Sequence, residues 1–134
     1  MTGVTDMADT LPGSSSMQDY LKAILEITER NGLARVSDIA SRLGVTKPSV
    51  TQMMDNLEKK GLVKQEPYGP VGLTASGCEL AARVRERHKL LEKFLVKVLG
   101  VAPEIAQEDA CMIEHVVSPQ TMEKLVEYLA SESL

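Results

Sequence analysis

The chain has 134 residues, of which 43% are apolar, enough for one packed domain or for a small domain with an appendage. Aromatic residues make up only 3% and Trp is absent. The core must therefore be built from aliphatic residues and Met, a composition that favours helices over a β-sandwich. The net charge of −4 taken alone argues against a nucleic-acid-binding protein, because duplex DNA repels an acidic surface.

The distribution of charge changes that conclusion. Residues 22–64 contain eight Lys or Arg against five Asp or Glu, a balance of +3, whereas residues 65–134 contain seven against eleven, a balance of −4. A basic middle followed by an acidic remainder indicates a DNA-reading part joined to a part that binds cations or a partner.

Cellular location is predicted from the cysteines and from the apolar runs. Cys78 and Cys111 form no CxxC pair, which favours a reducing compartment over a disulfide scaffold. The N-terminal segment has no apolar core like that of a secretory signal, and no apolar run approaches the roughly 20 residues that cross a bilayer. We expect a soluble, cytoplasmic protein.

The first half of the chain predicts three helices. Residues 1–15 are polar and predict a disordered tail. Ser16 is the predicted N-cap of a first helix that ends at Asn31 and Gly32. A short second helix is predicted between Ser37 as its cap and Gly44. A third follows, with Thr46 as its cap and Pro48 in its first turn, where proline is tolerated.

The second half predicts a hairpin and three more helices. Residues 62–73 alternate weakly and contain the turn residues of a hairpin. Thr74 begins a long helix that reaches about Leu99, Pro103 begins a fifth helix and Ser118 caps a sixth. The predicted fold class is therefore mainly α. It has an N-terminal winged helix-turn-helix (residues 16–74) with a small β-hairpin wing, and a C-terminal helical domain (residues 75–134).

Residues 36–62 have the pattern of a helix-turn-helix: a short helix, a turn with Gly, and a second helix. The apolar residues predicted to face inward are Ile39, Ala40, Leu43, Val45, Val50 and Leu57. A following hairpin makes the motif a winged helix, whose second helix enters the major groove N-terminus first. Its outward residues are hydroxyls, a cation and an amide, which suit phosphates and base edges. The predicted DNA-binding residues are Arg35, Ser37, Thr46, Lys47, Pro48, Ser49, Thr51 and Gln52, with Lys64 and Tyr68 on the wing as weaker candidates.

Three potential metal ligands lie close together in the fifth helix. Cys111, Glu114 and His115 have the spacing i, i+3, i+4, which places them on one helix face. Thiolate, carboxylate and imidazole all ligate divalent transition metals. His88 has the spacing of the apolar stripe of the fourth helix, and Glu92 follows one turn later. Spacing alone leaves a structural role open for each of these residues, since a His on an apolar stripe or a small buried Cys is common in cores.

The chain from about residue 17 to residue 129 resembles the diphtheria-toxin-repressor and manganese-transport-regulator family. The stretches that carry the resemblance are MQDYLKAI, ARVSDIASRLGVTKPSVTQMMDNLEKKGLV, LTASGCELA, RHKLLEKFL and DACMIEHVVS. The resemblance implies a metal-activated homodimeric repressor. Its winged helix would bind palindromic operators, and its C-terminal helices would dimerise and hold the metal.

The resemblance also implies a set of metal ligands. Asp19 lies where the manganese branch has a ligand, and Cys111 lies where the iron branch has one. Three positions, His88, Glu114 and His115, match ligands of both branches. Glu92 matches an ancillary ligand of the iron branch.

The sequence departs from both branches of the family. Lys22 lies where the manganese branch has a second carboxylate, and Gln107 lies where the iron branch has an ancillary His. The sequence ends at Leu134, so we expect the short form without the SH3-like domain of the longer iron-branch proteins. The mixed set, with Asp19 and Cys111 together, predicts Fe(II) or Mn(II), with a slight preference for Fe(II) because of the thiolate.

Two other classes of function remain. One is a winged-helix regulator that responds to an organic ligand or a protein partner, with the Cys, Glu and His cluster serving only structure. The other is a metalloenzyme. No carboxylate stands beside an HExxH-type pair as a general base, and no nucleophile has a partner. The sequence therefore predicts no enzyme.

Overall fold

The computed structural model describes residues 13–67 and 69–132, so most of the predicted tail and the wing residue Tyr68 lie outside the described residues. The order of elements confirms the mainly α prediction with one hairpin. The helices are α1 (Ser15–Asn31), α2 (Val36–Leu43), α3 (Lys47–Lys59), α4 (Ala75–Lys93), which continues as a π-helical segment (Phe94–Val98), α5 (Pro103–Val116) and α6 (Pro119–Ser131), and the strands are β1 (Val63–Gln65) and β2 (Val71–Leu73). Within the described part of the chain, no helix is both long enough and apolar enough to cross a membrane.

Two predicted helix starts were wrong by two residues each. Ser14, and not Ser16, caps α1, because its hydroxyl accepts a hydrogen bond from the backbone N–H of Met17 at 3.1 Å. Helix α2 begins at Val36 with Arg35 at the cap position. There the carboxylate of Asp38 reaches back to accept from the backbone N–H of Arg35 at 3.2 Å, so Ser37 lies inside the first turn.

The other predicted helix signals are confirmed. Gly32 and Gly44 end α1 and α2 in the left-handed conformation, with φ of 87° and 68°, which glycine adopts without steric cost. Thr46 caps α3 by accepting from the backbone N–H of Ser49 at 3.2 Å. Ser118 caps α6 in the same way through Thr121, at 3.2 Å.

The chain divides into two compact units, and the boundary falls inside α4 between residues 82 and 83. The N-terminal unit packs α1, α2, α3 and the hairpin around a shared apolar core. Its fully buried side chains include Leu21, Ile24, Ile39, Val50, Met54, Leu57 and Val63. Val45 was predicted to face inward but is 38% exposed, because it lies in the turn between α2 and α3, where the helical period does not apply.

The wing is a short antiparallel hairpin in which Val63 pairs with Leu73 and Gln65 with Val71. At its base, Thr74 donates from its hydroxyl to the carbonyl of Gly61 at 2.7 Å, and its backbone N–H bonds the carbonyl of Leu62 at 3.0 Å. The first turn of α4 therefore lies directly against the strand. A Cβ added at Gly77 would lie 2.0 Å from the carbonyl oxygen of Leu62, so only glycine fits there.

The C-terminal unit, described from residue 83 to residue 132, has a core of its own. It is formed by the second half of α4, the π-helical segment, α5 and α6, through Leu91, Leu95, Ala106, Ala110, Met122, Val126 and Leu129. The long predicted fourth helix widens near its end, where the N–H of Leu99 bonds the carbonyl of Phe94 at 3.3 Å, five residues earlier, which is the pattern of a π-helix.

Candidate functional site

The exposed face of α3 carries the predicted DNA-reading groups. All eight predicted DNA-binding side chains are exposed. Two of them lie at the start of α2 and the other six lie at the cap and in the first turns of α3: Arg35, Ser37, Thr46, Lys47, Pro48, Ser49, Thr51 and Gln52. The opposite side of α3 is buried through Val50, Met54 and Leu57. Burial of the apolar stripe therefore orients the polar face outward, with the helix N-terminus and Lys47 at its leading end.

The C-terminal unit holds His88 between two carboxylates. His88 is only 5% exposed because α4 directs it into the same face as Val84 and Leu91. Its Nδ1 lies 3.0 Å from Oε1 of Glu114 on α5, and its Nε2 lies 3.5 Å from Oε2 of Glu92 one turn later on α4. The structure thus brings together three of the predicted metal ligands.

The second nitrogen of this buried imidazole lacks a hydrogen bond. Among the described residues, Nε2 of His88 is fully buried with no hydrogen-bond partner, since the nearest carboxylate oxygen, on Glu92, is at ion-pair distance without hydrogen-bond geometry. A buried ring nitrogen normally has a partner. A donor atom in this state, with two carboxylates close by, suits a divalent metal.

The other ligands predicted on α5 form a second group. The Sγ atom of half-buried Cys111 lies 3.9 Å from Nε2 of exposed His115, as expected for positions four residues apart. Glu114 shares the helix, but its carboxylate bonds His88. Asp19 lies half-buried on α1 in the N-terminal unit. Gln107 is exposed on α5.

Sequence analysis missed the buried cation Arg87. Its side chain is 8% exposed. Burial lowers the pKa of its guanidinium, while the carboxylates of Glu114 and Glu123 raise it. Arg87 therefore places a positive charge near the carboxylate of Glu114, one of the predicted ligands. The available signal was spacing, since Arg87 lies three residues after Val84 and four before Leu91 on the apolar stripe.

Two models of known protein families together match almost the whole described chain. Residues 14–71 match the model of the iron dependent repressor, N-terminal DNA binding domain. Residues 74–131 match the model of the iron dependent repressor, metal binding and dimerisation domain. The chain belongs to the iron-dependent repressor family. The family resemblance found in the sequence is confirmed, and with it the winged-helix fold and the assignment to transcriptional regulators.

Individual relatives support the same assignment. The transcriptional regulator MntR of Escherichia coli O157:H7 is 45% identical over 107 residues, which are 80% of this chain and 68% of that protein. A manganese-dependent transcriptional repressor solved in complex with manganese is 33% identical, with a TM-score of 0.72 over 87% of this chain. IdeR of T. acidophilum is 30% identical, with a TM-score of 0.70 over 83% of this chain.

The solved relatives are longer than this chain. The match spans 53% of the manganese-dependent repressor and 52% of IdeR. The chain therefore corresponds to about half the length of these solved relatives, the half that contains the winged helix and the helical metal-binding and dimerisation domain.

Proposed function

We propose that this chain is a metal-dependent transcriptional repressor that binds palindromic DNA operators as a homodimer when a divalent metal is bound. The observation that carries the proposal is buried His88, with Glu114 on one ring nitrogen and an unpartnered Nε2 near Glu92. A divalent metal would supply the partner that this ring nitrogen lacks among the described residues. A repressor acts where its DNA lies, so we also propose that the protein is cytoplasmic.

The main site that we propose consists of Asp19, Cys111, Glu114 and His115, with His88 and Glu92 as an ancillary pair. Support comes from the short distances within the C-terminal unit and from the family resemblance at Asp19. A bound divalent metal supplies positive charge and directional bonds for these donors. The chain positions one of these donors in advance, since Nδ1 of His88 lies 3.0 Å from Oε1 of half-buried Glu114.

Mn(II) is the metal that we propose as the activator. The family models carry the name iron-dependent repressor, but the solved repressor at 33% identity is manganese-dependent. We therefore do not retain the slight preference for Fe(II) that was based on the Cys111 thiolate. Three of the six proposed ligands are carboxylates, and oxygen-rich shells suit Mn(II). Fe(II) is the competitor that the experiment has to rank against Mn(II).

The mechanism that we propose is a shift of population between conformations. Asp19 belongs to α1, which packs against α2 in the DNA-reading unit, whereas the other main-site ligands belong to α5. Donors from both units in one coordination shell favour the conformations in which these donors are close. In a homodimer this would set the separation of the two recognition helices, α3 of each protomer, to one turn of DNA or a multiple of one turn.

The function is tested by DNA binding as a function of metal. A duplex is first selected from random sequence with the Mn(II)-loaded wild-type protein, and its affinity is then measured with Mn(II), Fe(II), Co(II) or Zn(II) and with a chelator. We expect tight binding with Mn(II) and loss of binding with the chelator, with metal content confirmed by mass spectrometry. Equal binding with and without the chelator would instead favour a regulator that responds to an organic ligand or protein partner.

The role of Asp19 is tested in the same assay. Asp19→Ala removes one proposed ligand from α1, so we expect at least about tenfold more Mn(II) for half-maximal DNA binding. Glu29→Ala is the matched control, because it removes an exposed carboxylate from the same helix and should leave the metal requirement unchanged. An unaltered Mn(II) requirement in Asp19→Ala contradicts its role as a ligand.

A further inference from the structure

A side chain on the wing hydrogen-bonds two carboxylates on α3. Nε2 of Gln65, at the end of β1, donates to Oδ1 of Asp55 at 3.0 Å and to Oε1 of Glu58 at 3.2 Å. The backbone N–H of Gln65 donates to the other oxygen of Glu58 at 3.4 Å. One residue of the wing therefore makes three hydrogen bonds to one face of the recognition helix.

The alternation of β1 explains why Gln65 makes these bonds. Successive side chains of a strand point to opposite faces, so buried Val63 and half-buried Gln65 share the face toward α3, and exposed Lys64 points to the other face. A two-stranded hairpin is only marginally stable without support. Beyond its base at Thr74, the hairpin is held on the β2 side by the bond from the Val71 N–H to the Ala34 carbonyl at 2.8 Å. On the β1 side it is held by the contacts of its inner face, which include Asp55 and Glu58.

We propose that Gln65 is a positioning residue that sets the angle of the wing against the recognition helix, so that both reach the same DNA duplex. The inference rests on the proposed DNA-binding function. Without the amide of Gln65, Asp55 and Glu58 would be like charges three residues apart on α3, and of the three bonds only the one from the Gln65 backbone N–H to Glu58 would remain. Lys64 is the single Lys or Arg in residues 63–73, so a displaced wing would carry away the only wing cation available to phosphates.

The test compares Gln65→Ala with wild-type protein, both loaded with Mn(II), on the duplex selected with the wild type. We expect the affinity to fall about five- to tenfold, in proportion to the lost hydrogen bonds. The slope of log affinity against log salt concentration should become shallower by about one, because one phosphate contact is lost. A variant that is merely less stable would keep the wild-type slope.

The matched control uses two substitutions that remove the same charge. Glu58→Gln retains a carbonyl oxygen that can accept from the Gln65 amide, whereas Glu58→Ala retains none. Both variants lose one negative charge near the DNA, so the difference between their affinities contains no contribution from that charge. We expect Glu58→Ala to bind the duplex about threefold more weakly than Glu58→Gln.

The outcomes separate this inference from the proposed function. If the wild type binds the duplex and Gln65→Ala binds with the same affinity and salt slope, the positioning role is wrong and the proposed function stands. Equal binding by the two Glu58 variants likewise counts against the hydrogen-bonded contact. If no duplex is selected by the metal-loaded wild type, the proposed function itself fails, and the role of Gln65 falls with it.

Discussion

The two cysteines of the chain have the same chemistry and different surroundings. Cys111 is half-buried, with its sulfur 3.9 Å from Nε2 of His115, while Cys78 is exposed near the start of α4. The sequence predicted that Cys111, Glu114 and His115 share a helix face. It did not predict that the Glu114 carboxylate would bond His88, because spacing along a helix determines the face and a partner on another helix selects the rotamer.

A cobalt spectrum tests the assignment of Cys111. The Co(II)-loaded protein should show an absorption band from thiolate-to-metal charge transfer, because a Cys sulfur that ligates the metal donates charge to it. Cys111→Ser should lose this band and bind Co(II) at least about tenfold more weakly. Cys78→Ser should retain both the band and the affinity. A band that survives Cys111→Ser would exclude Cys111 from the metal shell.

At the scale of elements, the predicted helix ends agree closely with the observed ones. A helix end depends on residues within a few positions of it, such as a capping hydroxyl or a terminal glycine. Gly32, Gly44, Thr46 and Ser118 acted as predicted, through a positive φ or a hydroxyl that bonds a free N–H. The errors occurred at the starts of α1 and α2, where several residues could cap. Before α1, three consecutive serines could each act as the N-cap, and Ser14 does. At α2, the Asp38 carboxylate accepts from the Arg35 N–H, so the helix begins before Ser37.

The recognition helix yields a prediction about DNA sequence. Gln52 is exposed on α3, and a Gln amide can form two hydrogen bonds to adenine in the major groove. Gln52→Ala should weaken binding to the selected duplex by about 1–3 kcal/mol and relax the base preference at one position of each half-site. Gln120→Ala, which removes an exposed amide from α6, is the control and should leave binding unchanged. A selection repeated with Gln52→Ala that recovers the same consensus would show that Gln52 reads no base.

At the scale of the whole molecule, α5 of the C-terminal unit presents apolar side chains to solvent. Ile105, Met112 and Val116 are 55%, 62% and 79% exposed, and their spacing of seven and four residues places them on one side of the helix. Large apolar side chains exposed along one side of a helix indicate a protein interface. In a family whose C-terminal domain is described as a dimerisation domain, we expect this face to contact a second copy of the chain.

A charge on this face should prevent dimerisation. Met112→Lys places an ammonium group in the proposed interface, and burying an unpaired charge is strongly unfavourable. We expect sedimentation to shift from dimer to monomer, and binding to the palindromic duplex to fall accordingly. Gln120→Lys adds the same charge at an exposed position of α6 and should remain dimeric. A dimeric Met112→Lys protein would place the interface elsewhere.

The sequence alone determined which segments are helical, where most of them end and which faces are apolar, because these features depend on residues within a few positions of one another. It also contained enough of the family pattern to identify the class of protein. Only the tertiary structure decided that Glu114 pairs with His88, that Arg87 is buried beside them and that Gln65 bonds Asp55 and Glu58. Each of these contacts joins residues from different elements or depends on burial, and no local spacing encodes them. The position of Gly77 against the Leu62 carbonyl belongs to the same group, since the close approach that excludes a Cβ exists only once α4 has packed on the wing.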